Sequence, residues 1–357
     1  MLSLFTACTS AAASTSGGSL PNQGPLIAVF PLQNLSGAQA PLGSLMDTLI
    51  RNLEKQGFRI LDSRVLDDFM ERNRIRYTAG VDENISRALR LETKADATLI
   101  TSVELCDEMN PPKVSLVARL VATGDTPVVL WADGVGIAGD DSPGILGLGL
   151  IESMDVLLTK ASGLLVGSLE ATLRGEAVRA GRRITPGRYG PKSSYRSRVL
   201  TQGEKRTVAI APFFNGSERK NAGDVLALQF VAGLGRSARF QVIEPGLVRN
   251  AFLNLRIVMD QGVSLSDAGL LFSFLDVDYV LTGKVTDYQD YQGLYGSAKV
   301  GFFAQLIERE SRRVVWSSLS RNNGEDGVYF FDIGKINTAH KLAELMVERI
   351  SERMVMR

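Results

Sequence analysis

The chain holds two cysteines, Cys8 and Cys106, and one histidine, His340. That inventory excludes a multi-histidine metal centre and removes almost every nucleophile–histidine triad. The cysteines are too far apart in sequence to make a disulfide scaffold. His340 sits in Asn337-Thr338-Ala339-His340-Lys341, the early turns of a closing helix. No second histidine or local carboxylate stands at ligand spacing, so it reads as a helix histidine. Cys106, between Leu105 and Asp107, reads as a buried structural thiol. Gly144, Gly147 and Gly149 make a loose glycine run without the lysine and serine of a phosphate loop. The paired acids Asp140-Asp141 and Glu325-Asp326 fall at equivalent places after two tryptophan-bearing segments. They suit turn and helix-entry roles better than a cation site. No catalytic, metal or cofactor residue is expected.

The elements that carry these residues follow from length and self-similarity. At 357 residues, 45% apolar and 22% charged, the chain is sized for about two globular domains. No run of about 18 uncharged apolar residues occurs, which argues against a spanning helix; the best candidate, 144–173, is broken by Glu152, Asp155, Lys160 and Glu170. Ile27-Ala28-Val29-Phe30-Pro31-Leu32-Gln33-Asn34 lines up with Val208-Ala209-Ile210-Ala211-Pro212-Phe213-Phe214-Asn215. Phe58–Leu61 matches Phe240–Ile243, and Asp96–Leu99 matches Asp278–Leu281. The segment around Trp131 matches that around Trp316, and the offset drifts only from 181 to 185 residues. An ordered series of this kind marks one unit used twice. Each copy alternates strands with helices and ends in hairpins. The expected fold class is α/β: two tandem three-layer-like α/β sandwich domains, each a mixed sheet packed with helices. The expected divisions are 1–25 (signal remnant and tether), 26–170 (first domain), 171–206 (basic linker) and 207–357 (second domain).

Charge follows the same divisions. Residues 1–170 carry 13 Lys and Arg against 20 Asp and Glu, 171–206 carry 10 against 2, and 207–357 carry 17 against 17. This distribution argues against a uniform nucleic-acid-binding face. Within the basic segment, Arg179, Arg182, Arg183, Arg188, Lys192, Arg196 and Arg198 are interleaved with Gly, Pro and Ser. It reads as a solvated linker, with attraction to anionic head groups or an acidic partner as the alternative. At the start, Phe5-Thr6-Ala7-Cys8 followed by a Ser/Thr/Ala/Gly stretch resembles the end of a bacterial lipoprotein signal peptide. The resemblance implies a lipid, palmitate included, on Cys8 and a membrane anchor at the amino terminus. Phe5 departs from the usual leucine, and the charged leader is missing, which places the expected start codon upstream.

The first strand with its Pro and Asn, Leu61-Asp62-Ser63-Arg64, Asp278-Tyr279-Val280-Leu281-Thr282-Gly283 and Val314-Val315-Trp316-Ser317 together resemble the curli secretion (CsgG-like) lipoprotein superfamily. Related folds are the lipoprotein activators of penicillin-binding proteins, the amino-terminal domain of the Tol propeller protein and the flagellar T-ring protein. The first copy departs from the pattern, with Thr101 where the second has Gly283. The resemblance implies a non-enzymatic lipoprotein of the cell envelope, on the periplasmic face of the outer membrane. It would bind envelope protein partners in assembly or secretion, use no cofactor and no nucleic acid, and be open to homo-oligomerisation. The alternative is a subunit of a ring-forming secretion or flagellar assembly. A curli-type pore is disfavoured, because 106–113 and 287–297 are too short for membrane hairpins of about 9–11 residues per strand.

Overall fold

A computed structural model of the chain describes residues 24–141, 149–176, 188–200, 205–259, 262–291, 296–328 and 334–355. Two mixed sheets with packed helices make two α/β domains. The first contains β1 (Leu26–Val29), β2 (Gln33–Asn34), α1 (Leu42–Lys55), β3 (Arg59–Ile60), α2 (Ser63–Arg72), α3 (Glu83–Thr93), β4 (Ala97–Asp107), β5 (Lys113–Ala122), β6 (Val128–Ala138) and α4 (Met154–Leu173). β7 (Ser193–Arg196) lies between the domains in sequence. The second contains β8 (Arg206–Ile210), β9 (Phe214–Asn215), α5 (Ala222–Gly235), β10 (Phe240–Val242), α6 (Pro245–Leu255), α7 (Leu265–Leu275), β11 (Tyr279–Gln289), β12 (Lys299–Glu308), β13 (Val314–Asn323) and α8 (Ala339–Val355).

The sheets share a strand order. The first runs β3-β1-β4-β5-β6 with β2 beside β4; the second runs β10-β8-β11-β12-β13 with β9 beside β11, and β7 extends its far edge. In each, the first strand is parallel to its neighbours, and the long meander that follows is antiparallel. Local chemistry recurs with the topology. Asn34 accepts from the Ser36 amide and donates to the Ala38 carbonyl; Asn215 does the same with Ser217 and Arg219. Asp96 receives the Leu26 amide, and Asp278 receives that of Thr207. Asp141 closes the turn after β6 through the Ala138 amide, as Asp326 closes the turn after β13 through that of Asn323. The second acid of each pair, Asp141 and Asp326, therefore takes the turn role expected of it.

Helix starts follow the side-chain caps. Asp62 begins α2, Asp82 begins α3, and Ser264 with Asp267 forms a capping box at α7. α1 buries Leu45, Leu49 and Leu53, one residue per turn, against the sheet and α4. α5 differs, since every residue from Ala222 to Leu234 except Asp224 is buried. A helix apolar all round has structure on all sides, and α5 supplies the reason. It packs on its own sheet and, across its other face, on β5 and β6 of the first domain. α8 also touches β6. The layers thus run α1 and α4, first sheet, α5 and α8, second sheet, then α6 and α7 on part of its far face, while α2 and α3 pack on the first sheet around Phe30 and Ile100.

α4 is long and apolar enough to cross a membrane by length and composition, a test that the broken apolar run in the sequence did not meet. Its Leu157, Leu158, Ala161, Leu165, Val166 and Leu169 are nevertheless buried in the first core. Its placement is that of a core helix, whose outer side mixes exposed Val156 and Leu164 with exposed Asp155 and Lys160.

Candidate functional site

The charged and titratable side chains that are most deeply buried converge on the seam between the domains. Glu244 caps α6, receiving the Gly246 amide at 3.3 Å. It also takes two hydrogen bonds from Arg119 of β5, Nε at 2.9 Å and Nη2 at 2.8 Å. Arg119 further donates to the Ala79 carbonyl, and the Val81 amide lies 3.4 Å from Glu244 Oε1. This fork-on-carboxylate pair is almost fully out of solvent, at 3% and 0% side-chain exposure. Bidentate geometry with extra backbone partners is what makes such a buried pair tolerable.

A second cluster forms around Glu104 and His340. Glu104 sits where β4 shifts register against β5, between Val103 and Leu105. An extra residue in a strand re-aims a side chain, and here it directs a carboxylate out of the apolar alternation toward α8. His340 Nδ1 contacts Glu104 Oε2, and the Gln229 amide nitrogen of α5 lies 2.7 Å from the same ring nitrogen and 3.4 Å from Glu104 Oε2. Burial alone would lower the His340 pKa, but the charge and hydrogen bond of Glu104 outweigh it and raise it above 6.5. Gly134 and Gly136 on β6 make room: a Cβ at either would stand 2.6–2.9 Å from the imidazole or its Cβ. Nearby, Arg219 donates to the Glu104 carbonyl and lies over the Tyr288 ring. Asp290 accepts from the Ala339 amide at the start of α8, and burial raises its pKa.

The third cluster lies at the loop end. Lys113, fully buried, is 3.7 Å from Asp107 and rests over the Tyr291 ring of the second domain. Tyr291 donates to Asp140, and Asn337 reaches both Asp140 and Asp141. Arg236 of α5 pairs with Asp133 of β6 at 2.9 Å. A cleft of about 310 Å³ opens beside Arg119 and Glu244, lined in part by Tyr77, Asp224, Arg249 and Phe252. Arg249 stacks on Tyr77 at 3.9 Å.

Backbones also touch across the seam. A Cβ on Gly246 would stand 2.4 Å from both the nitrogen and the oxygen of Val81, and one on Gly80 would stand 2.8 Å from the Gly246 Cα. Neither obstacle is a movable side chain. Gly246→Ala is therefore expected to cost about 1–3 kcal/mol, read as a lower urea midpoint with an unchanged slope. Gly163→Ala, mid-α4 with nothing within 4 Å, is the control, expected to keep the midpoint or raise stability by up to about 1 kcal/mol.

Of the residues singled out in the sequence, Cys8, Arg179, Arg182, Arg183, Gly144 and Gly147 lie outside the described residues. Cys106 is buried, and desolvation, followed by the charges of Glu108 and Asp107, pushes its thiol up to about 11, the environment of an inert thiol. The end of the basic segment is built into the second sheet. Arg196 lies in β7 opposite Trp316, the Lys192 amide bonds the Leu319 carbonyl, and Arg188 donates to the Gly327 carbonyl. Arg198 is exposed beside β7. His340 was read from its helix alone; its carboxylate partner stands 236 residues away on the other domain. Neither Glu104 nor the Arg119–Glu244 pair was picked out. The available signal was charge inside apolar strands: Glu104 between Val103 and Leu105, Arg119 between Ala118 and Leu120.

No protein-family model matches the sequence, and no curated protein matches it. Among solved structures, the chain is similar to PelC from Paraburkholderia phytofirmans, described as a dodecamer (17% identity over 44% of this chain and 96% of that chain, TM-score 0.30). It is also similar to lipoprotein GNA1162 from Neisseria meningitidis (18% identity, 41% and 96%, TM-score 0.29). A further match is the C-terminal domain of LpoB from Escherichia coli (14% identity, 33% and 82%, TM-score 0.24). Each of these spans less than half of this chain.

Proposed function

We propose that the chain is a non-catalytic lipoprotein of the bacterial cell envelope, made of one curli-secretion-like unit used twice and serving as a scaffold that binds protein partners. On this reading Cys8 carries the lipid, residues 1–25 tether the body to the periplasmic face of the outer membrane, and 26–170 and 207–357 are the two copies. The recurrent Asn turns, Asp contacts and strand order support the duplication. One observation carries the scaffold reading: the buried ionic groups Glu104, Arg119, Glu244 and His340 are spent on joining one domain to the other. They clamp two units into a single body, which is what a presenting surface requires. A single acyl chain binds membranes only marginally, and several hold a body of this size firmly.

The test is metabolic palmitate labelling of the chain at its native locus with a carboxyl-terminal tag, comparing wild type with Cys8→Ala. The expected result is label in the wild type and none in the variant. Absence of label from both would remove the anchor and the envelope setting, leaving a two-domain binding module.

A further inference from the structure

The cleft of about 310 Å³ at the seam stands where α/β sheets hold ligands. β8 is parallel to β10 on one side and to β11 on the other, so the chain order reverses around it. Ligands of open α/β sheets lie outside the carboxyl end of such a strand. Ile210, the last residue of β8, lines the cleft, with α5 on one face of the sheet and α6 on the other. The first domain closes it. Gly80 and Gly246 bring the two backbones into contact, which holds Tyr77 and Ala79 against the start of α6. Leu35, Leu228, Val248 and Phe252 make further walls apolar. The volume is at the small end of the about 300–1,000 Å³ typical of ligand pockets, a size that suits an amino acid or a dipeptide.

Three polar side chains line this apolar space with their functional ends unpaired. Elsewhere on the seam charge meets charge: Arg119 with Glu244, His340 with Glu104, Arg236 with Asp133. Among the described residues, Asp224 and Arg249 have no ion-pair partner and the Tyr77 hydroxyl has no hydrogen-bond partner. Asp224 is the one residue from Ala222 to Leu234 of α5 that is not buried, and desolvation by the walls around it raises its carboxyl pKa. Arg249 lies over the Tyr77 ring at 3.9 Å, which engages the face of its guanidinium and leaves the N–H edge for a ligand. An acid in a first turn also suits the helix dipole, but the repeated fold requires neither charge. α1 opens Leu42-Gly43-Ser44 where α5 opens Ala222-Gly223-Asp224. Five residues after the helix cap, α2 has Asp67 where α6 has Arg249.

We infer that this cleft binds a small apolar zwitterion, an α-amino acid or dipeptide with a hydrophobic side chain. Its ammonium meets Asp224, its carboxylate meets the N–H edge of Arg249 and the Tyr77 hydroxyl, and its side chain lies among Leu228, Val248 and Phe252. The opposite charges of Asp224 and Arg249 favour a ligand that carries both signs over a simple anion or cation. Because both domains wall the cleft, the ligand also ties them together. The inference goes beyond the scaffold reading and rests on the joined domains alone, not on the lipid.

The test uses the full chain carrying Cys8→Ser, so that failure of the anchor leaves it unaffected. Leucine and phenylalanine in both enantiomers, and the dipeptide alanyl-leucine, are titrated by calorimetry near neutral pH. At least one is expected to bind at a single saturable site and to raise the melting temperature of the chain. Acetylating its amine or amidating its carboxyl is expected to weaken binding at least about tenfold, the effect of losing one charge-assisted hydrogen bond. Asp224→Asn and Arg249→Gln are each expected to weaken it as much, with circular dichroism showing that the variants fold. The capped compounds, measured on the unsubstituted cleft, keep the result decisive where a substitution disturbs the fold. No saturable binding of any probe up to about 10 mM overturns the inference. So does binding that survives both substitutions, since the ligand would then sit elsewhere, and so does a capped compound that binds as well as the free one.

Discussion

Arg119→Met is expected to lower the stability of the chain by about 3–5 kcal/mol and to split a single thermal transition into two. The substitution keeps most of the side-chain volume and removes both hydrogen bonds from the Glu244 carboxylate, at 2.8 and 2.9 Å. The carboxylate then remains buried with only the longer contacts from the Val81 and Gly246 amides. An unpaired buried charge is penalised far beyond the net worth of the pair. Against a typical total of about 5–15 kcal/mol, the loss is large. It falls on the seam, because Arg119 belongs to β5 and Glu244 to α6. Calorimetry read beside tryptophan emission gives the assignment, with Trp131 reporting the first domain and Trp316 the second. Adding Glu244→Gln to Arg119→Met removes the stranded charge and leaves an oxygen to cap α6. The double variant is expected to recover most of the loss. A single variant that melts within about 1 kcal/mol of wild type would show that the pair does not hold the domains.

The repeat and the α/β class were legible because apolar periodicity and turn residues are local. Val208–Pro212 announces a strand and turn as plainly as Ile27–Pro31 does. Two helices per chain escaped: α3 and α7, each 11 residues long. Their caps at Asp82 and Ser264 are local signals, but each helix is short and runs almost directly into the following strand. β7 escaped for a different reason. Ser193–Arg196 has a linker's composition and becomes a strand only because β13 offers it an open edge. The seam was illegible for a third reason. Stacking one domain on the other is a long-range event, and nothing within ten residues of His340 encodes Glu104. What the sequence did contain was α5, a helix with no polar side. α1, its counterpart, buries only three of its residues, and that contrast is the sequence trace of the stacked layers.

The same seam should make stability fall as pH rises, with His340 as the reporter. Its pKa in the folded chain lies above 6.5, so the folded state holds a proton that the unfolded chain releases first. Such a contribution is complete below about 6.5 and is lost as pH climbs through the folded value. Asp290 acts in the same direction at lower pH, because burial raises its carboxyl above 3.8. Glu344, one turn along α8, opposes both on the acid side. Burial pushes its pKa up, but Lys341 and His340 more than offset that and hold it below 4.5. Its contribution is therefore lost only as pH falls through that lowered value. The raised tyrosines Tyr288 and Tyr291 begin to matter only above 10. Burial also lifts the Cys106 thiol to about 11, which adds a loss in the same direction once the unfolded thiol begins to ionise, so the clean window runs from about pH 6 to about pH 8. Urea unfolding across it should show wild-type stability declining. His340→Gln should lie about 3–5 kcal/mol below wild type at the acid end, where it strands Glu104 in the seam. The gap should narrow at the alkaline end, where wild type has lost its own cation. A His340→Gln variant that keeps the wild-type slope would move the titration elsewhere. A wild-type curve that rises with pH across the window would mean that His340 is neutral in the folded chain, with Glu104 held by Gln229 alone.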